Sequence, residues 1–221
     1  MKQLASLFFF YTILAQAACQ NQGQSNIHLD EPSRNPVEER NVGGPCECCD
    51  AWKDGLPETL SWQTRIAPAG EPGEPLEISG TIFLKDGATP AKDIILYVYH
   101  TDAAGLYSNG PTISTCARRH GHLRGWMKTG ADGRYKFRTI RPASYPNSTA
   151  EQHIHPIIKE PGLKEYWIDE FLFDNDPNLT EKVRKHQSGR GGNGILKLTK
   201  NQNGIWTGQR DIFLGRNVSD Y

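Results

Sequence analysis

The sequence predicts an all-β domain, an antiparallel β-sandwich carrying one short helix. Three observations carry that prediction. Short segments alternate apolar and polar residues with the period of two expected of a half-buried strand. Turn signals such as Lys85-Asp86-Gly87, Ala131-Asp132-Gly133 and Asn203-Gly204 separate them. The 22 glycines and 14 prolines among 221 residues suit a turn-rich chain better than a helical one.

The chain begins with a targeting segment. Lys2 precedes an apolar run from Leu4 to Leu14, and Ala15-Gln16-Ala17 has the small-x-small form of a cleavage site, so residues 1–18 read as an export signal. The run is too short to remain as a membrane-spanning helix. Cys19 follows directly and resembles the lipidated cysteine of bacterial lipoproteins, although Gln16 replaces the usual leucine. Residues 19–44 are polar and nearly devoid of apolar side chains. Such a stretch buries too little surface to offset its ordering entropy and reads as a flexible tether, which would hold a lipid-anchored domain off a membrane. The expected localisation is therefore exported: periplasmic or outer-surface in a bacterium, otherwise secreted.

The domain itself spans 45–221. It opens on Cys46-Glu47-Cys48-Cys49, and in an oxidising compartment these thiols and Cys116 are expected to form two disulfides, with connectivity left open. Expected strands follow at Leu76–Leu84, Asp93–His100, Gly133–Ile140, His153–Ile158 and Phe171–Phe173. A closing hairpin joins Ile195–Thr199 to Ile205–Leu214, and the helix is expected over Leu179–Gln187. Lys plus Arg and Asp plus Glu each number 25, so net charge is zero and no nucleic-acid partner is indicated.

A sandwich declares no function, so function must come from sites. In Tyr145-Pro146-Asn147-Ser148-Thr149-Ala150-Glu151-Gln152-His153-Ile154-His155, the two histidines fall on one face of a strand and offer converging imidazole nitrogens. An exposed strand with two unrelated histidines would look the same. Tyr145 precedes the pair on a proline-marked turn, and Tyr107 ends a glycine-containing loop after the Asp93–His100 strand. Two phenols and two imidazoles suit ferric iron, Fe(III), because phenolate is a hard anionic donor, whereas zinc usually draws on Cys, His and carboxylate. His120 and His122 form another H-x-H. Arg118, Arg119 and Arg124 around it disfavour a bound cation, so it is expected to face solvent, as are His28 and His186. His100 suits pocket lining or structural support equally.

The residues Leu96–Tyr107, then Gly125–Pro142 with Gly133-Arg134-Tyr135-Lys136-Phe137-Arg138-Thr139-Ile140, then Tyr145-Pro146 and His153-Ile154-His155, resemble in order the core of the intradiol ring-cleavage dioxygenases, of the protocatechuate 3,4-dioxygenase type. The resemblance implies a β-sandwich with non-haem Fe(III) held by Tyr107, Tyr145, His153 and His155. It also implies a catechol substrate with O2 as co-substrate, and cleavage between the two hydroxylated carbons. Tyr145 is the phenolate that substrate displaces and that takes its proton. The family's Arg-Pro-Ala before His-Ile-His is replaced by Ala150-Glu151-Gln152, and Arg138, Arg141 or Arg124 is then the candidate cation, with Arg138 expected to be catalytic alongside Tyr145. The competing reading is a non-catalytic envelope module that binds carbohydrate or protein and keeps the scaffold.

Overall fold

A computed structural model describes residues 38–110 and 114–221. The export signal, Cys19, His28 and the tether as far as residue 37 lie outside them. No helix among the described residues is long and apolar enough to cross a membrane. In chain order the first strands are β1 (Gln63–Arg65), β2 (Pro75–Phe83), β3 (Ile95–Tyr99), β4 (Arg124–Lys128), β5 (Arg134–Ile140) and β6 (His153–Lys159). They are followed by β7 (Tyr166–Trp167), β8 (Phe171–Phe173), β9 (Ile195–Leu196), β10 (Thr199–Lys200), β11 (Trp206–Gln209) and β12 (Ile212–Phe213).

Two six-stranded sheets result. One runs β1-β5-β2-β11-β10 with β12 also on β2; the other runs β4-β3-β6-β8-β9 with β7 also on β6. Alternation decides which face turns inward. On β2, Leu76, Ile78 and Ile82 are buried, and on β5 Tyr135 and Phe137 turn to the same core. They pack with Leu96 and Val98 of β3, Ile154 and Ile158 of β6, and Phe171 and Phe173 of β8 in one core. Each such side chain contributes roughly 1.5–3 kcal/mol by leaving water. The long pairs β2/β5, β3/β4 and β3/β6 are antiparallel as expected, while β1/β5, β11/β2, β12/β2 and β8/β9 are parallel, so both sheets are mixed.

The closing segment departs most from the expectation. Its hairpin forms across Asn203-Gly204 as β10 and β11. The residues before it are shared between the sheets, because Ile195-Leu196 pair with β8 and Thr199-Lys200 with β11. A period of two describes a face and says nothing of which sheet a strand joins. The helix expected at Leu179–Gln187 appears as α2 (Glu181–Lys185), begun by the Thr180 hydroxyl accepting from Val183 N. The sequence gives no sign of α1 (Thr115–Arg119), capped by Ser114, or of a 3-10 helix at Cys49–Lys53. Five residues are too few for helical periodicity to register.

The cysteines pair as Cys46–Cys49 and Cys48–Cys116. The second bridges positions 68 apart and restricts the unfolded chain by about 4 kcal/mol in the loop-entropy account. The folded body also takes in the end of the 19–44 stretch. Arg40 bonds to Gly162 and Lys164, Gly43 N donates to Ser219 O at 2.8 Å, and Val42, an apolar residue in a polar stretch, is buried.

Candidate metal centre and its cavity

Four sequence-predicted residues come together. On β6, Ile154 points into the core, so His153 and His155 share the opposite face with ring centroids 4.6 Å apart. Tyr145 stands in the loop between β5 and β6. Tyr107 ends a loop after β3 that is shaped by Asp102, whose carboxylate accepts from Ala104 N and Leu106 N at 2.9 and 3.0 Å. The two loops meet backbone to backbone at Gly105. It has φ +78°, and a Cβ there would lie 2.0 Å from Ser144 O, so only glycine fits. Buried His100 braces the junction: its Nδ1–H donates to Thr101 O at 2.8 Å and its Nε2 accepts from Thr139 Oγ1 at 2.7 Å. Thr101 Oγ1 in turn donates to Ala143 O at 2.7 Å. The Nε2 bond requires a neutral ring, and burial pushes the His100 pKa down to about 4 despite the opposing Thr101 bond. The support role is the one His100 takes.

The donor atoms form a chain of close approaches. Tyr107 Oη is 3.0 Å from Tyr145 Oη and 3.0 Å from His155 Nε2, and Tyr145 Oη is 3.0 Å from His153 Nε2. Both imidazoles are turned from behind. His153 Nδ1–H donates to Glu151 O at 2.6 Å, and His155 Nδ1 faces the Glu170 carboxylate at 3.6 Å, which leaves both Nε2 lone pairs facing the phenols. Burial, with the His155 ring beside it, holds the His153 pKa below its ordinary value, which favours the neutral form a ligand needs. Burial, with the Tyr145 hydroxyl beside it, pushes the Tyr107 phenol well above its ordinary range. Ionising it requires a strong positive charge close by.

An open cavity of about 220 Å³ lies against this cluster, smaller than the roughly 300–1,000 Å³ of drug-sized sites and suited to a single ring. Tyr99, Tyr107, His120, Tyr145 and His155 line it, together with Glu47, Cys48 and Arg119.

The candidate cations fall elsewhere. Arg138 is exposed and paired with Glu77, the residue opposite it on β2. Because Tyr135 and Phe137 turn inward, alternation sends Arg138 to the outer face of the other sheet, and its assignment as a catalytic residue is corrected. Arg141 lies over the Phe173 and Trp206 rings and donates to Gln152 Oε1 at 2.7 Å and Asn175 Oδ1 at 2.9 Å. Gln152 is thereby also committed, and Glu151 contributes only its carbonyl to the site. Arg124 is buried over Trp126, 4.0 Å from Asp54.

His120 is also corrected. It is 3 % exposed, stacks on Tyr99 at 3.6 Å with 2° between the planes, and its Nδ1 accepts from the Tyr97 hydroxyl at 3.0 Å. Burial pushes its pKa down to about 3, with His155, Arg124 and Arg119 adding to the effect. His122 is half-buried beside Glu71, and His186 is exposed as expected. The wall residues Glu47, Cys48 and Arg119 escaped sequence reasoning, because a disulfide of unknown connectivity brings them to the cavity.

A family model described as Dioxygenase matches residues 58–204. The chain belongs to the intradiol dioxygenase family. It is 36% identical over 104 residues to catechol 1,2-dioxygenase 1 of Acinetobacter lwoffii, a match covering 46% of this chain and 32% of that protein. It is 30% identical over 117 residues to the protocatechuate 3,4-dioxygenase beta chain of Burkholderia cepacia, covering 50% and 49%. The chain thus spans about a third to a half of these relatives' length. The dioxygenase domain of a dioxygenase–carbohydrate-binding fusion from Streptomyces sp. SirexAA-E superimposes with a TM-score of 0.55 at 23% identity, over 81% of this chain and 98% of that one. Catechol 1,2-dioxygenase from Acinetobacter sp. ADP1 gives 0.52 at 17%, over 71% and 58%. At these identities the two structures speak for the fold.

The donor set of this family member fits ferric iron. Donors about 3 Å apart suit adjacent ligand positions around one ion with bonds of roughly 2.1 Å. Two phenols, of which burial holds Tyr107 protonated until a cation is near, and two imidazoles with Nε2 facing the phenols supply hard, anionic-when-bound oxygen and borderline nitrogen. Among the described residues no group of three or more His, Cys, Asp or Glu side chains forms an alternative metal site.

Proposed function

We propose that the protein is a ferric dioxygenase that cleaves catechol-type rings between the two hydroxylated carbons, adding both atoms of O2 to give a cis,cis-muconate-type dicarboxylate. The convergence of the Tyr107, Tyr145, His153 and His155 donor atoms in 3.0 Å steps supports this reading. Iron held there would supply the charge acceptance that makes a bound catecholate ring reactive toward O2. The chain supplies the rest. Tyr107 and the two histidines hold position from a strand and a loop pinned by Gly105. Tyr145 Oη, hydrogen-bonded on both sides in a loop, is placed to take a proton from a catechol hydroxyl. The aromatic wall of Tyr99 and His120 gives the ring an apolar face and limits water.

We further propose export, with Cys19 as a candidate lipid anchor. Two disulfides among the four cysteines of the described residues support an oxidising compartment. Reconstitution with ferric iron tests the main proposal. Tyrosinate-to-iron charge transfer should colour the protein burgundy to red, catechol should shift the band, and O2 should be consumed. A protein colourless after reconstitution would sink the ferric reading; a coloured one inert toward a catechol panel would favour a binding module.

A further inference from the structure

The cavity has two ends of different origin. Its inner end is made by Tyr107, Tyr145 and His155; at its mouth stand Glu47, Cys48 and Arg119. None of the mouth residues comes from a sandwich strand. Arg119 ends α1, Cys48 precedes the 3-10 helix, and the Cys48–Cys116 disulfide ties the two segments together. Arg119 Nη1 is paired with Glu47 and lies 3.7 Å from the Cys48 sulfur. The two charged side chains are 60% and 78% exposed, so their pair contributes roughly 0–1 kcal/mol to the fold and is easily exchanged. Among the described residues Glu47 has no other charged or hydrogen-bonded side-chain partner.

We propose that Arg119 and Glu47 select the ring substituent of the substrate, and that the preferred catechols carry an anionic group such as a carboxylate on the edge away from the hydroxyls. The proposal rests on the catechol reading above. A catechol whose hydroxyls face Tyr107, Tyr145 and His155 turns its opposite edge toward the mouth. There the guanidinium offers a planar fork that matches a carboxylate. Glu47 holds one nitrogen of that fork, Nη1, in the absence of ligand. A substrate carboxylate takes that position by exchange, while Glu47, the more exposed partner, moves into water, so no charge is left buried and unpaired. Arg119 is held from behind by α1, which the disulfide fixes at Cys116, and Arg118 beside it adds positive charge. A neutral substituent has nothing to exchange and leaves the pair closed across the mouth.

Monophenols, which occupy the site without being cleaved, separate the two ideas. Calorimetry on the iron-loaded protein should show 4-hydroxybenzoate binding more tightly than phenol. R119Q should weaken 4-hydroxybenzoate about tenfold while phenol stays within about twofold, and E47Q should strengthen 4-hydroxybenzoate about threefold, the scale of one exposed charge-assisted contact. Equal binding of the two ligands by the wild type, or equal weakening of both by R119Q, overturns the substituent assignment. The catechol-induced shift of the visible band reports independently on the ferric reading. If wild type and R119Q both keep it while the carboxylate preference is absent, only this inference fails; if wild type lacks it, the proposed function fails first.

Discussion

The chain writes H-x-H twice, and the structure gives the two copies opposite geometries. In His153-Ile154-His155 the backbone is a strand, Ile154 turns into the core, and both rings face one point. In His120-Gly121-His122 the backbone leaves α1, and Gly121 adopts φ +69°. The rings part. His120 turns inward onto Tyr99, and His122 turns outward, where its Nε2 lies 3.2 Å from Glu71. A spacing of two makes a ligand pair only where the middle residue is extended and has somewhere to bury itself. Tyr99 links the two copies, with His120 stacked at 3.6 Å and His155 at 4.7 Å.

Breaking the first copy should have the largest effect. His153→Ala should abolish the coloured iron complex and turnover, a loss beyond the roughly 10–100-fold that an outer-shell partner costs, while the melting temperature of the iron-free protein barely moves. Absorbance after reconstitution and O2 uptake check both halves. His122→Ala, the same substitution in the other copy, should keep the colour. The middle residues sharpen the contrast. Ile154→Ala should destabilise by about 2–5 kcal/mol in urea unfolding, through the cavity it opens in the core. Gly121→Ala should cost about 1–3 kcal/mol in backbone strain. It should also disturb the iron site from outside the ligand set, since the new Cβ would lie 3.1 Å from Tyr107 Cα. An unaltered visible band in the iron-loaded Gly121→Ala protein would contradict that coupling.

Much of this was legible in the sequence because alternation is a local property. Leu76, Ile78 and Ile82 declare β2, Tyr135 and Phe137 declare β5, and His153 with His155 declare one face of β6. The same rule applied to Arg138 sends it outward, away from the site. What stayed hidden depends on contacts distant in sequence. The burial of His120 requires Tyr97 and Tyr99 opposite it, and the cavity mouth requires Cys48 to find Cys116 across 68 positions. Arg124 and Arg119 lower the His120 pKa, but burial is the larger cause, and burial cannot be read from neighbouring charges.

That burial makes the second copy a source of acid sensitivity. His120 stays neutral in the folded protein down to about pH 3, whereas an unfolded histidine takes its proton near pH 6.5. Between those values the unfolded chain binds more protons, so this contribution to stability is complete above pH 6.5 and is lost as pH falls toward 3. His120→Phe, which keeps a ring against Tyr99, should therefore lose about 2 kcal/mol less than the wild type between pH 7 and pH 5, read from urea midpoints. His100, pushed down to about 4, gives both proteins a common acid slope that the comparison cancels.

The smallest effect belongs to His122. Its Nδ1–H donates to Ser108 O at 3.0 Å and its Nε2 meets Glu71 at a partly exposed position. His122→Gln keeps a donor and should change stability by less than about 1 kcal/mol, as exposed pairs do. The backbone bond His122 N to Ser108 O, 2.9 Å, ties His122 to the end of the Tyr107 loop without help from the side chain. A loss in His122→Gln comparable with that in Gly121→Ala would mean that the imidazole, and not the glycine turn, positions Tyr107, and the two copies would then be alike in using both of their histidines.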